Sequence, residues 1–413
     1  MNQWVSWVIG CCFGAILVGC TMQSNMALSH SQRPYDFESH TLHPRGVAIP
    51  GSTDSVDVFF DVTRKECLYL RESPQSPFVS QLECTVGAHR FTWVDTLVSG
   101  ASRWNRKHVR LDWHEVFPEW AGQLVEEIPL SITDLQRNVR HAWTTDVLTK
   151  EASLPAYHSD GWPLNTKHAV VGDTLYFSSP TGSTWHHASA AVPTTLPSPP
   201  FSHVKDRSDT LEPLIRSTIV SGNSRWNSYI VQPGVNIIAD ANSAEPRIVQ
   251  RVYGTQFPFD QVRDLRVMIQ SCRYITSRKE YERMVASEDS KAALDAFWLN
   301  CANEKDRAAQ MISTYYGRVE EANRYFSGVL EGWRTDRGMV HIVFGIPTKI
   351  RKTGGSEWWV YGEEGSANAI TFRFMRTQHP WDDQFFRMSR NILYRPTWDR
   401  MVTNWRNGRI QPD

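Results

Sequence analysis

Alternating apolar and polar positions mark the first part of the chain. Val56, Val58, Phe60 and Val62 are separated by Asp57, Phe59 and Asp61. A period of two puts one face of a strand into a core. Further strand patterns lie at 67–70, 78–86, 91–98, 107–116, 123–132 and 139–148, with turn residues such as Glu72-Ser73-Pro74 and Ser99-Gly100 between them. Short strands at this spacing predict an immunoglobulin-like β-sandwich over 51–158. Its aromatic positions Phe59, Phe60, Trp93, Trp113 and Trp143 are expected to plug the space between two sheets. Looser β patterns follow at 169–177, 185–192, 216–221, 226–238 and 247–253, around a Pro/Ser-rich loop at 193–210. They predict a second β-rich module over 159–257, or a continuation of the first. The boundary falls near Ser159-Asp160-Gly161-Trp162-Pro163.

At Pro258 the period changes to about 3.6. Val262, Leu265, Met268, Ile269, Cys272 and Ile275 share one helix face. Ser277 and Glu280 have capping-box spacing for a second helix, and Leu294, Phe297 and Trp298 sit on a third. The longest helix pattern has Asn303 as its expected N-cap. Its stripe runs through Ala308, Ile312, Tyr315, Val319, Ala322, Phe326, Val329 and Trp333, and needs a neighbour to cover it. Gly332 stands where a C-cap glycine belongs. Three strand patterns, at 339–344, 358–361 and 370–374, then predict an antiparallel meander. The expected fold is therefore α+β and multidomain: N-terminal β-sandwich modules, then a C-terminal helical layer on a small antiparallel sheet.

The N-terminus bears on address. Residues 4–19 are nearly all apolar and end in Leu17-Val18-Gly19-Cys20. A short apolar run closed by small residues has the form of an export signal. It resembles a bacterial lipoprotein signal, with cleavage before the Cys of a Leu-x-Gly-Cys box. The resemblance implies a signal peptide at 1–19, lipid (palmitate among the chains) on Cys20, and a stable membrane anchor. Thr21 in place of Asp implies the outer membrane, and the lack of an acidic tract after Cys20 implies its periplasmic leaflet. Residues 20–50 are polar, contain Pro44 and Pro50, and are expected to be a tether.

Charge and composition narrow the partners. Lys plus Arg and Asp plus Glu each number 44, so no net field would draw in nucleic acid. Hydrophobic residues at 41% and 17 Trp imply packed cores. Beyond Cys11, Cys12 and Cys20, four cysteines remain. Export would permit disulfides, with Cys67–Cys84 and Cys272–Cys301 as the candidate pairs, or four buried thiols. Their spacing is not that of a zinc site.

The stretch Gly332-Trp333-Arg334-Thr335-Asp336-Arg337-Gly338 joins the long helix pattern to the meander. Trp333 is expected in the core, Thr335 and Asp336 as acceptors for turn N–H groups, Arg337 as a carboxylate partner, and Gly338 as a backbone-permissive position. Around it stand Arg273-Tyr274-Ile275, Glu280, Phe297-Trp298, Arg318-Val319, Ala322-Asn323, Phe326, Phe344-Gly345-x-Pro347, Trp359-x-Tyr361 and Phe372-x-Phe374. Together these pieces resemble the GWxTD domain, over residues 258–413. The resemblance implies a domain that follows β-rich modules, and it implies no activity.

Elsewhere the chemistry is thin. His379-Pro380-Trp381-Asp382-Asp383 holds ligand-type residues in one loop, His186-His187 points to two faces, and Trp113-His114-Glu115 lacks zinc-protease spacing. No nucleophile elbow, P-loop or paired-carboxylate spacing stands out. No catalytic residue, metal or cofactor is expected. In the last third, Arg334, Arg337, Arg351, Lys352, Arg373, Arg376, Arg387, Arg390, Arg395, Arg400, Arg406 and Arg409 make the chain basic and many interleave with aromatics. The expectation is an exported, lipid-anchored, non-catalytic scaffold that docks an envelope protein partner. The alternative is a ligand-binding or hydrolytic periplasmic protein using the basic, aromatic C-terminal domain.

Overall fold

The alternation in residues 56–62 does place one face of a strand in a core: Val56, Val58, Phe60 and Val62 are all fully buried. The computed structural model describes residues 35, 42–52, 54–148, 154–192, 196–202, 215–220, 224–241, 248–257, 259–366, 369–379, 381–382 and 384–410. The signal stretch, Cys20 and most of the expected tether lie outside them.

Seven strands make the first layer pair: β1 (Arg45–Ser52), β2 (Ser55–Thr63), β3 (Val79–Val86), β4 (His89–Thr96), β5 (Trp104–Asp112), β6 (Glu127–Asp134) and β7 (Val139–Asp146). One sheet has the order β1-β2-β5 and the other β4-β3-β6-β7. This is an immunoglobulin-like arrangement in which the fourth strand pairs with the third rather than staying on the first sheet. Leu82, Cys84 and Val86 from β3 and Ile128, Leu130 and Ile132 from β6 meet the β2 residues between the sheets. Phe60, Trp93 and Trp113 are buried there. Phe59 is not an inward plug. It faces outward from β2, stacked on His108 at 4.4 Å and edge-on to Trp162 at 5.1 Å.

Two expectations change here. The tether does not extend to residue 50, because 45–52 form β1; and 67–70 contribute only a bridge at Leu70, not a strand. Residues 113–116 leave the β5 pattern as a one-turn helix, α1 (Trp113–Val116), opened by an Asp112–Glu115 capping box.

The next strands are β8 (His168–Val170), β9 (Thr174–Ser178), β10 (Thr184–Ala190), β11 (Ile215–Val220), β12 (Trp226–Ile230), β13 (Gly234–Asp240) and β14 (Ile248–Thr255). A five-stranded sheet runs β11-β10-β13-β14-β8, with β14 and β8 parallel; β9 and β12 pair separately. The expected strand at 226–238 is broken by Gln232-Pro233, where proline removes a ladder donor. One side of the larger sheet packs on Leu175, Phe177 and Tyr229. Its other side, with Ala188, Val235, Ile237 and Tyr253, meets Val329 and Phe385. Strand β13 therefore has two covered faces: Ile238 belongs to one core and Ile237 to the other.

The C-terminal part holds α2 (Leu265–Ser271), α3 (Arg278–Val285), α4 (Ser290–Ala302), α5 (Lys305–Phe326), α6 (Asp336–Phe344), β15 (Lys349–Thr353), β16 (Ser356–Tyr361), β17 (Ile370–Arg376), β18 (Phe386–Met388) and α7 (Arg395–Arg406). The Ser277–Glu280 capping box forms. Asn303 does not open α5; it closes α4 in the left-handed region at φ 63°, a role asparagine tolerates. Helix α5 ends at Phe326, so Gly332 is not its C-cap.

The largest departure is residues 339–344, expected as a strand and found as helix. Every residue from Asp336 to Val343 is buried. Over 339–344 His341 is the single polar residue in an otherwise apolar run, and a short apolar run has no period that separates a buried helix from a buried strand. The small sheet is instead β15-β16-β17-β18, four antiparallel strands. Trp298, Tyr315, Trp333, Trp359, Phe372, Phe374 and Trp405 form its shared core with the helices. No helix among the described residues is long and apolar enough to cross a membrane.

Neither candidate disulfide is formed. Cys67, Cys84, Cys272 and Cys301 are buried free thiols. Burial pushes Cys67, Cys84 and Cys272 up to about 12, away from the reactive thiolate. The Cys272 thiol lies 3.3 Å from the Tyr316 hydroxyl, inside the helical core.

Candidate functional site

Local chain geometry sets the signature stretch at the crossing of α5 and α6. Gly332–Arg334 form one 3-10 turn, and Thr335 is the N-cap of α6. The Thr335 hydroxyl donates to the Gly332 carbonyl (2.7 Å) and accepts from the Gly338 N–H (3.0 Å). Both glycines serve close approach rather than a special φ. A Cβ on Gly332 would come within 3.0 Å of the Ala322 carbonyl of α5, and one on Gly338 within 3.0 Å of the Gly332 carbonyl. The expectation that Gly338 supplies an unusual φ is thus replaced by a contact argument.

Trp333 is fully buried and bonded at three points. Its backbone N–H donates to Asn323 Oδ1 (3.2 Å), its indole N–H to Glu331 Oε2 (2.9 Å), and its carbonyl accepts from the Tyr274 hydroxyl (2.6 Å). Asp336 accepts the Met388 N–H of β18 (2.7 Å) and pairs with Arg390 (2.7 and 3.4 Å). Its hydrogen bonds therefore reach 52 residues onward instead of closing a local turn.

Arg337 does not pair with Asp336. Its guanidinium lies between the Phe386 ring (4.1 Å) and the Phe326 ring (5.2 Å). It donates to the Gln384 carbonyl (2.8 Å) and the Tyr35 hydroxyl (2.7 Å), and stands 3.5 Å from Glu357. Glu357 is fully buried and also takes the Trp359 indole N–H (3.2 Å), the Tyr35 hydroxyl (2.8 Å) and Lys352 (3.4 Å). Burial, with Glu357 beside it, raises the Tyr35 phenol well above its ordinary range, so the hydroxyl keeps its proton and donates. On α6, His341 bonds Glu321 of α5 at 2.7 Å.

Of these partners Glu357 left a sign in the sequence. It shares strand parity with Trp359 and Tyr361, so a charge sits on an apolar face. Tyr35 left none, lying 302 positions from Arg337.

The other candidate ligand residues have structural places. Asp382 caps backbone N–H groups of Val329 (2.9 Å) and Gln384 (2.8 Å), while Pro380 and Asp383 of that loop lie outside the described residues. His187 bonds Asn236 at 3.0 Å. Among the described residues no three His, Cys, Asp or Glu side chains gather as a metal would need. The basic character of the last third is largely compensated: Arg390 pairs with Asp336, Arg406 with Glu280, Arg351 with Glu364 and Arg334 with Glu331. Beside the motif lies a cleft of about 400 Å³, lined by Asp264, Arg266, Gln270, Leu330, Glu331 and Arg334.

Two contacts tie this region to the β-rich part. Asp260 takes Arg45 of β1 (3.0 Å) and Arg324 of α5 (3.4 Å). Burial opposes its charge, but the two guanidinia outweigh it and hold the carboxyl at about 2. His168 of β8 is buried, stacked on Phe259 at 3.9 Å, with its Nε2 3.2 Å from the Gly328 carbonyl. That bond makes Nε2 the protonated nitrogen of a neutral ring.

Desolvation lowers His168 from 6.5 to about 3. Between those values the unfolded chain holds a proton that the folded chain does not, so stability is complete above 6.5 and falls with pH below it. The maximal slope from this one group is about 1.4 kcal/mol per pH unit. Denaturant melts from pH 7 to pH 4 should show that loss, and His168→Asn should flatten it. An unchanged pH profile in the variant would remove His168 as the source.

Fold and site together define an α+β protein whose last part is a helix-and-meander domain built on a buried arginine–carboxylate knot. By comparison with known families, residues 234–407 match the GWxTD domain. The match begins at β13, not at residue 258, and so takes in both strands of the β13–β14 pair. No curated protein matches the chain.

Proposed function

We propose that the protein is exported, carries lipid on Cys20 at the periplasmic face of the outer membrane, and works there as a non-catalytic interaction module for an envelope protein partner. The observation that carries the non-catalytic half is the inward use of the signature. Trp333, Asp336 and Arg337 are buried, and their polar groups engage other elements of the same domain. A knot of this kind holds a surface in shape and offers a substrate little of its own chemistry. The address rests on the apolar run at 4–19 and its Leu17-Val18-Gly19-Cys20 ending.

Cys20→Ser should abolish labelling by a palmitate analogue and move the protein from the membrane to the soluble fraction. Label retained on the serine variant would sink the lipid assignment. The cleft beside Arg334 favours a second reading, a ligand-binding protein. A small molecule held stoichiometrically through native purification, with no protein partner, would favour it.

A further inference from the structure

Tyr35 fills a socket whose chemistry is specific for its side chain. The residue is 8% exposed, and its ring lies edge-on to Phe326 (5.1 Å), Tyr325 (5.9 Å) and Trp359 (6.1 Å), with the Lys352 ammonium 5.3 Å from its centre. At the end of the slot, one group gives a hydrogen bond and another takes one: Arg337 donates to the phenol oxygen, and the phenol donates to Glu357. A hydroxyl on an aromatic ring satisfies both, and a bare ring satisfies neither. We propose that the pocket around Arg337 and Glu357 is a binding site for a tyrosyl side chain, with the segment carrying Tyr35 as its resident and separable ligand.

Separability follows from how the socket is balanced. With Tyr35 withdrawn, Glu357 keeps Arg337 at 3.5 Å, Lys352 at 3.4 Å and the Trp359 indole, and Arg337 keeps the Gln384 carbonyl. Neither buried charge is left without a partner, so the pocket persists empty. Lys352, whose side chain is 43% exposed, marks the mouth. The tyrosine also comes from far away in sequence, 322 positions from Glu357, and not from the elements that build the pocket. A site built around a hydroxyl discriminates strongly against the analogue lacking it, because its own polar groups go unpaired. Phenylalanine at position 35 is therefore a poor occupant. The inference concerns the folded chain alone and does not depend on lipid at Cys20.

The test uses the full chain in mild detergent, with a specific protease site placed between residues 37 and 41. After cutting, the N-terminal piece should stay with the body on size exclusion. Tyr35→Ala should release it, and Tyr35→Phe should speed its release at least tenfold. A synthetic peptide covering residues 30–41 should displace the wild-type piece, and its Tyr→Phe form should not. Release of the wild-type piece as fast as the alanine variant's would overturn the proposal, as would firm retention of the alanine piece. Denaturant melts of uncut Tyr35→Ala add a separate check. A variant that fails to fold would show the phenol to be an obligatory core residue and not a ligand.

Discussion

Gly332→Ala and Gly338→Ala are each expected to unfold the C-terminal domain or destabilise it by about 4 kcal/mol or more. Neither glycine is held in the left-handed region, so the backbone itself would accept alanine. The obstacle is what faces the new methyl. At Gly332 it is the Ala322 carbonyl of α5, and at Gly338 the Gly332 carbonyl with the Trp333 Cα behind it. Backbone atoms have no rotamer into which to retreat, so relief requires α5, the 3-10 turn and α6 to separate. Separation would open the contacts of Trp333, which is fully buried. Gly317 provides the control. It lies in α5 with open space where its Cβ would go, and alanine there should be neutral or stabilise by up to about 1 kcal/mol. Chemical denaturation of the three variants checks the argument. A wild-type midpoint for Gly332→Ala would show that the α5–α6 crossing is not tight.

Arg337→Ala should cost about 3–5 kcal/mol, the range for removing one partner of a buried ion pair. Three losses combine: the guanidinium between Phe386 and Phe326, the bonds to the Gln384 carbonyl and Tyr35, and the buried one of the two counter-charges of Glu357. Lys352 remains 3.4 Å from Glu357 and softens the last of these. Pairing Arg337→Met with Glu357→Gln should recover part of the loss, since no buried charge is then stranded. A double-mutant cycle on these two positions should give a coupling above about 1 kcal/mol. Additive effects would mean that the two side chains act independently, against the geometry.

Elements whose two sides differ in polarity are the ones the sequence makes readable, even where, as in β2, the polar side with Asp57 and Asp61 is itself buried. The alternation of β2, the Ser277–Glu280 capping box and the α5 stripe all had a polar side to contrast with an apolar one. Where that contrast vanishes, the reading fails. Residues 336–343 are buried without a break, so α6 looked like a strand. Strand β1 was hidden by Pro44 and Pro50, which flank or end an edge strand without removing a central ladder bond. At the site, Trp333 is buried as expected but not as the end of the α5 stripe, since α5 stops at Phe326 and Trp333 comes from the 3-10 turn after it; Glu357 could have been inferred from parity. The partner of Asp336 is Arg390, one cation among many in the last third, with nothing in the sequence to single it out. Tyr35 belongs to a stretch with no apolar period, and only the folded chain brings it to Arg337.

A strand with cover on both sides has no outside. Because Ile237 and Ile238 of β13 belong to different cores, the last β-rich core and the helical domain share one wall. Cutting the chain at residue 258 would tear that wall from the helices and leave Val329 and Phe385 facing water. A fragment that keeps this wall with the helices has to start at or before Gly234, on the near side of the shared strand. Melting of the two cores should accordingly be a single event, and damage on either side of β13 reaches the other.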